Sequence, residues 1–250
     1  SARKNFHRKT AGNGTDSQIT TVGYYCNPIQ YAEHRKTLEN VICTAGKFGA
    51  THVSTFAGAW EGKPVESAYE EFGKVFRELA DLAEEKGVKL GIENCLMDGT
   101  WEHATCNIGF NPKAWEVMFE EVKNDNFGLE WEPTHQMVQL IDPVTELRKW
   151  CKKIVHIHGK DARIDWDAVR HSGISGAVPF VWHRMPGFGD TNWRDIISIL
   201  RSNGYEDDIC IEGYHDPVYS GELEMTGQLH ALNYLKWCRG GDFTPTPWAK

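Results

Sequence analysis

The chain has no run of 18 apolar residues, so it offers no helix that could span a bilayer, and no membrane partner is expected. Ser1 to Asp16 is polar and contains nothing like the apolar core of a secretory signal. Cysteine usage makes the cytoplasm the expected location. There is no C-x-x-C pair. The seven Cys residues are scattered and, being odd in number, cannot all pair within the chain. Cys43 and Cys210 lie in the apolar stretches Val41-Ile42-Cys43 and Ile209-Cys210-Ile211, where reduced thiols pack as small hydrophobes. A basic excess is also lacking: 27 Lys and Arg against 35 Asp and Glu leave a formal charge of −8. Nucleic-acid binding normally shows a basic footprint, so no nucleic-acid partner is expected. No internal repeat, low-complexity tract or interdomain linker stands out, and residues 1–250 read as one domain.

What is present is an ordinary globular mixture, 40% hydrophobic and 25% charged, in a chain of the length usual for an α/β barrel. Strand and helix signals alternate. Strand candidates are 19–25, 51–56, 88–93, 127–132, 154–158, 177–182 (the weakest) and 209–212. Helical spacing of apolar residues appears over 34–48, 69–83, 112–122, 144–152, 193–200 and 225–237. Such alternation implies a parallel sheet with crossover helices. Seven strand candidates are one short of a (β/α)8 barrel. Residues 1–18 supply no strand, though Ala2 to Thr10 reads as the end of a helix. The expected fold is a TIM-type barrel lacking its first strand.

Four strands repeat one pattern. Leu90 and Ile92 oppose Glu93; Leu129 and Trp131 oppose Glu130 and Glu132; Val155 and Ile157 oppose His156 and His158; Ile209 and Ile211 oppose Glu212. Strand side chains alternate between faces, so aliphatics meet the helices and a metal-capable group faces inward at the C-terminal end. Active sites of parallel α/β folds sit at that end. Carboxylates and a His converging there repel one another unless a cation lies between them. Oxygen-rich ligation with one imidazole suits Mn2+ or Mg2+, with Co2+ and Zn2+ as alternatives. Taken singly, a Glu ending a strand is usually a cap or surface group, and a strand His usually a hydrogen-bonded core residue.

The motifs Gly91-Ile92-Glu93-Asn94, Gly128 to His135, His156 to Asp161, Pro186 to Trp193 and Ile211-Glu212 together resemble the sugar phosphate isomerase/epimerase family. Its members are xylose isomerase-like TIM barrels and include ketose 3-epimerases and inosose dehydratases. The resemblance covers residues 19 to 240. It implies that Glu93, Glu132, His158 and Glu212 bind one divalent metal, Mn2+ first, and that His135 and Arg163 contact substrate. Three departures stand out, the absent first barrel strand being one. Glu132 occupies a position where the family has Asp, and Gly99 lies where the epimerase subgroup has a substrate-binding Glu. His183 and Arg184 are candidates to line the pocket, since cationic groups suit sugar hydroxyls. Lys160, Asp161, His215 and Asp216 are candidates to support the ligands. Trp60, Trp101 and Trp182 are candidates to stack on sugar faces, packing being the plainer reading.

The leading functional reading is a metal-dependent sugar isomerase or epimerase. It works through an enediolate, with Glu93 and Glu212 as acid and base on opposite sides. The alternative is a lyase of the same family, a keto-inositol dehydratase or a C-glycoside-cleaving enzyme, in which the intermediate expels a neighbouring substituent. An apurinic-site endonuclease on the same barrel would need an Asp in Val181-Trp182-His183 and further His ligands. The expected partner is a small carbohydrate, with homo-oligomerisation left open.

Overall fold

The computed structural model describes residues 18–242 and 244–246, so the expected helix end at Ala2 to Thr10 lies outside the described residues. In chain order the elements are β1 (Thr21–Gly23), α1 (Ala32–Ala45), β2 (His52–Thr55), α2 (Tyr69–Glu85), β3 (Lys89–Glu93), α3 (Pro112–Glu121), β4 (Phe127–Trp131), α4 (Pro133–Met137), α5 (Pro143–Trp150), β5 (Ile154–Gly159), β6 (Asp161–Ile164), α6 (Trp166–Ser172), β7 (Val181–Arg184), α7 (Trp193–Ser202), β8 (Ile209–Ile211) and α8 (Glu224–Cys238). No helix among the described residues is long and apolar enough to cross a membrane. The chain divides into two compact units, Ser1–Trp131 with Lys153–His156, and Glu132–Lys152 with Ile157–Lys250.

The first unit holds parallel strands in the order β1-β2-β3-β4, followed by the first half of β5. The register pairs Thr21 with His52, His52 with Lys89, and Glu93 with Glu130. The apolar stripe of α2 buries Phe72, Val75, Phe76, Leu79 and Ala83. Phe72 and Phe76 stack at 4.6 Å, and Phe127 of β4 sits 5.9 Å from Phe76 and 5.7 Å from Phe119 of α3. Such ring pairs add about 1 kcal/mol each beyond their area burial. Gly87, in the left-handed conformation just past α2, ends that helix. Asn111 caps α3 by accepting from Lys113 N at 2.9 Å, with Pro112 at the first helical position. Gly128 is required where it stands: a Cβ there would lie 2.3 Å from the Lys153 carbonyl oxygen.

In the second unit the later half of β5 pairs in parallel with β8, Ile157 with Ile209 and Gly159 with Ile211. Between them in sequence lies a separate antiparallel hairpin, β6 with β7, pairing Ala162 with His183. This corrects the expected strand at 177–182. Pro179 has no N–H to give a ladder, and pairing begins only at Val181, against a strand that the apolar pattern did not reveal. Neither strand is a continuous apolar run: Arg163 and Trp182 are exposed. The apolar stripe of α7 buries Ile196, Ile197 and Leu200. Asn192 caps that helix by accepting from Asp195 N at 3.2 Å.

Candidate metal centre

Three of the expected ligands meet in the second unit. His158 lies on β5. Glu132 is the residue that opens α4. Glu212 follows β8, its backbone N–H donating to Gly159 O at 3.1 Å and so holding it against the end of β5. His158 Nδ1 is 3.1 Å from Glu212 Oε2 and 3.7 Å from Glu132 Oε2. Each of the three offers a ligand atom within 4.8 Å of the others'. Donor atoms around one ion with bonds of about 2.1 Å stand roughly 3.0–3.4 Å apart. Two carboxylates and an imidazole at these separations therefore fit a divalent cation.

A lysine and a second histidine complete the cluster. Lys160 Nζ is 2.8 Å from Glu212 Oε1 and 3.8 Å from Glu132 Oε1. It is a buried ammonium, 3% exposed. His135 lies one helical turn from Glu132, and its Nε2 is 3.3 Å from Glu132 Oε1. Burial, reinforced by the Lys160 charge and opposed by Glu212, pushes His135 down to about 3. It is therefore neutral, and its contact with Glu132 is that of an uncharged ring rather than an ion pair. His183 is likewise pushed down to about 4 by burial, then by Lys160 and His215, with Glu212 opposing. Burial would raise Glu212, but the His158 hydrogen bond and the Lys160 charge outweigh it and hold this carboxyl well below the ordinary range.

The loops around these residues are tied by two buried carboxylates. Asp161 accepts from the backbone N–H of Ala162 (2.8 Å), Thr191 (3.0 Å) and Gly187 (3.2 Å). Gly189 fits against it only because it lacks a side chain: a Cβ would sit 2.3 Å from Asp161 Oδ1. Asp216 accepts from Met185 N at 2.7 Å and from Val218 N and Tyr219 N at 2.8 Å, and Arg184 Nε is 3.2 Å away. Arg184 is thus already paired, with its guanidinium 5.5 Å over the Phe188 ring. The His183 ring lies 5.5 Å from His215. The structure does not gather Arg163 with these residues. It is exposed on β6 and lines a separate cavity of about 570 Å3 with Met137, Leu140, Trp166 and Asp190.

In the first unit Glu93 ends β3 and is buried, 8% exposed. Glu130 accepts from Tyr25 Oη at 2.8 Å and lies 3.8 Å from His156 Nε2. Thr21 Oγ1 is 3.3 Å from the His156 ring nitrogens, and the His52 ring lies 5.7 Å from that ring. Alternation marks Glu130 and His156 as inward-facing but assigns them no partner. Trp101 donates to Glu66, and Lys63 lies 5.9 Å over Trp60. Trp182 is exposed.

The chain matches the xylose isomerase-like TIM barrel over residues 2–236. It belongs to that family. An inosose dehydratase from Clostridium tetani (strain Massachusetts / E88) is 27% identical to this xylose isomerase-like chain over 182 residues, taking in 71% of the chain and 57% of that protein. The chain thus spans little more than half of that relative. Among solved structures, D-psicose 3-epimerase, determined in the presence of D-fructose, superposes with a TM-score of 0.66 at 16% identity, covering 89% of this chain and 79% of that one. The IOLI protein with a binding zinc atom superposes with a TM-score of 0.61 at 21% identity, covering 88% and 73%. These likenesses show the fold.

Proposed function

We propose that the chain is a metal-dependent enzyme that dehydrates a cyclic polyhydroxy ketone of the inosose class. The convergence of Glu132, His158 and Glu212 at ligand spacing carries this reading. Glu93, at the C-terminal end of β3, is proposed as the fourth ligand on the family resemblance. Mn2+ is the first ion to test, with Zn2+, the ion of the IOLI structure, beside it. When bound, the metal supplies a Lewis acid that polarises a carbonyl and acidifies the neighbouring C–H.

The chain's own groups divide the remaining work. Glu212, held ionised by His158 and Lys160, takes the proton from the carbon beside the carbonyl. The electron pair of that C–H bond becomes a carbon–carbon double bond as the hydroxyl on the next carbon leaves, and Glu93 supplies the proton that makes it water. Neutral His135 and His183 are hydrogen-bonding groups for substrate oxygens. Arg184, fixed by Asp216, lines the same side.

Two observations favour dehydration over isomerisation or epimerisation. The relative from C. tetani is named for that reaction, and Gly99 replaces the Glu that the epimerase subgroup uses. Epimerisation is the second reading, favoured by the likeness to D-psicose 3-epimerase. It shares the first proton transfer and returns the proton instead of losing water. Turnover of an inosose with Mn2+ in D2O separates them: dehydration gives an unsaturated ketone, epimerisation a labelled isomer. Formation of an isomer, rather than an unsaturated ketone, with no deuterium in substrate or product would overturn both.

A further inference from the structure

Asn107 lies in the long loop after β3, fourteen residues beyond Glu93, and is fully buried. All four of its side-chain hydrogen-bonding positions are taken. Its Nδ2 donates to the carbonyl oxygens of Glu93 at 2.9 Å and Cys95 at 2.8 Å. Its Oδ1 accepts from Ala57 N at 2.9 Å and Gly109 N at 3.0 Å. The amide therefore has one orientation: exchanging O and N would set the NH2 against two N–H groups and the oxygen against two carbonyls. The backbone confirms the anchorage, because Asn107 bridges Gly58 in parallel and Ile108 N donates to Gly58 O at 3.0 Å.

We propose that Asn107 is a positioning residue for Glu93, a role that rests on the metal reading above. The direction of a residue's carbonyl is set by its own ψ angle, so holding the Glu93 carbonyl holds the peptide plane on its C-terminal side. The sheet register with Glu130 holds the strand on the other. The Glu93 Cα–Cβ bond then has a fixed direction, which sets the region the carboxylate can reach before any ligand arrives. Asparagine is the side chain that does this: Asp has no donors for the two carbonyls, and Ala has neither donors nor acceptors.

Asn27 provides the control. It is equally buried in the same unit, at 2% exposed. It donates to Ala59 O at 2.9 Å and accepts from Ala59 N at 3.0 Å and Gln30 N at 3.2 Å, with no bond to the Glu93 backbone. The experiment measures Mn2+ affinity by calorimetry and metal-free melting temperature for the unmodified chain, Asn107→Ala, Asn107→Asp, Asn27→Ala and Glu93→Gln. Two Asn107 variants are used so that one suffices if the buried carboxylate of the other prevents folding. Asn107 variants that fold should bind Mn2+ at least about 10-fold more weakly, the usual effect of losing a group that orients a ligand, while Asn27→Ala melts lower but keeps its affinity within about 3-fold. Unchanged affinity in Asn107→Ala, or an equal loss in Asn27→Ala, overturns the positioning role alone. A Glu93→Gln chain that binds as tightly as the unmodified one, or an unmodified chain that binds no metal, overturns the metal reading and the role with it.

Discussion

Lys160 donates a 2.8 Å charge-assisted hydrogen bond to Glu212, and the same ammonium lies 3.8 Å from Glu132. One buried cation thus serves two carboxylates that are also proposed metal ligands. Lys160→Met should leave them facing each other uncompensated. Breaking a fully buried pair costs 3–5 kcal/mol, but Glu212 keeps 29% of its side-chain exposure, so a loss of about 2 kcal/mol is expected. Mn2+ should then raise the melting temperature of Lys160→Met more than that of the unmodified chain. Thermal denaturation with and without the metal checks both parts, and an equal metal-induced rise in the two proteins would count against the shared site.

The two acids of β4 and its end should separate cleanly. Glu132 stands with His158 and Lys160, whereas Glu130 stands with Tyr25 and His156. Glu132→Ala should lose most Mn2+ affinity, and Glu132→Asp should retain part of it. Glu130→Ala should keep the affinity while losing about 1–3 kcal/mol of stability, because it removes a buried carboxylate that accepts from the Tyr25 hydroxyl and faces the buried His156 ring. Calorimetry and urea unfolding on the three variants would decide. Normal metal binding by Glu132→Ala would pass the ligand role to Glu130.

Asp216 makes a pH prediction. Burial works to raise its carboxyl, but the N–H groups of Tyr219, Met185 and Val218 and the Arg184 guanidinium outweigh it, so the folded-state value is lowered. A carboxyl lowered on folding stabilises the protein above its unfolded value of about 3.9 and loses that contribution as pH falls through the folded value. Asp216→Asn should therefore cost about 2 kcal/mol at pH 7. The gap from the unmodified chain should close as pH drops below about 4. Denaturant unfolding across that range is the measurement, and a gap independent of pH would refute the assignment.

The thiols should divide by burial. Cys43 is exposed, and Cys26 and Cys151 are buried. Burial, outweighing the Thr55 hydrogen bond and aided by Cys106, pushes the Cys26 thiol up to about 11. Because the thiolate is the reactive form, Cys43 should react with a chromogenic disulfide in the native protein at pH 8. Cys26 should react only as the chain unfolds. Loss of the fastest phase in Cys43→Ser would confirm the first half, and rapid native labelling of Cys26 by peptide mapping would contradict the second.

The alternating pattern was legible in residues because local periodicity decides which side of a strand or helix is apolar. Five of the six parallel strands were readable to within one residue of each end, and β1 was over-extended by two residues at each end. The stripe of α2 needed nothing beyond its own spacing. The placement of Glu132, His158 and Glu212 was readable for the same reason: each stands at or just past a strand end, opposite an apolar pair. The β6–β7 hairpin was not readable, since two half-exposed strands of four residues leave no apolar signature, and their pairing joins positions about twenty residues apart. Nor was the Lys160 bridge. Its sequence neighbours place it beside His158, but only the pairing of β5 with β8 brings Glu212, 52 residues on, within 2.8 Å. The sequence by itself thus determined the order of elements, the inward face of each strand and the residue types at the strand ends. Which acid meets which cation, where Arg163 points, and that Asn107 closes on the backbone of Glu93 were decided by the tertiary structure, because each depends on the distance between segments far apart in the chain, a quantity no local pattern carries.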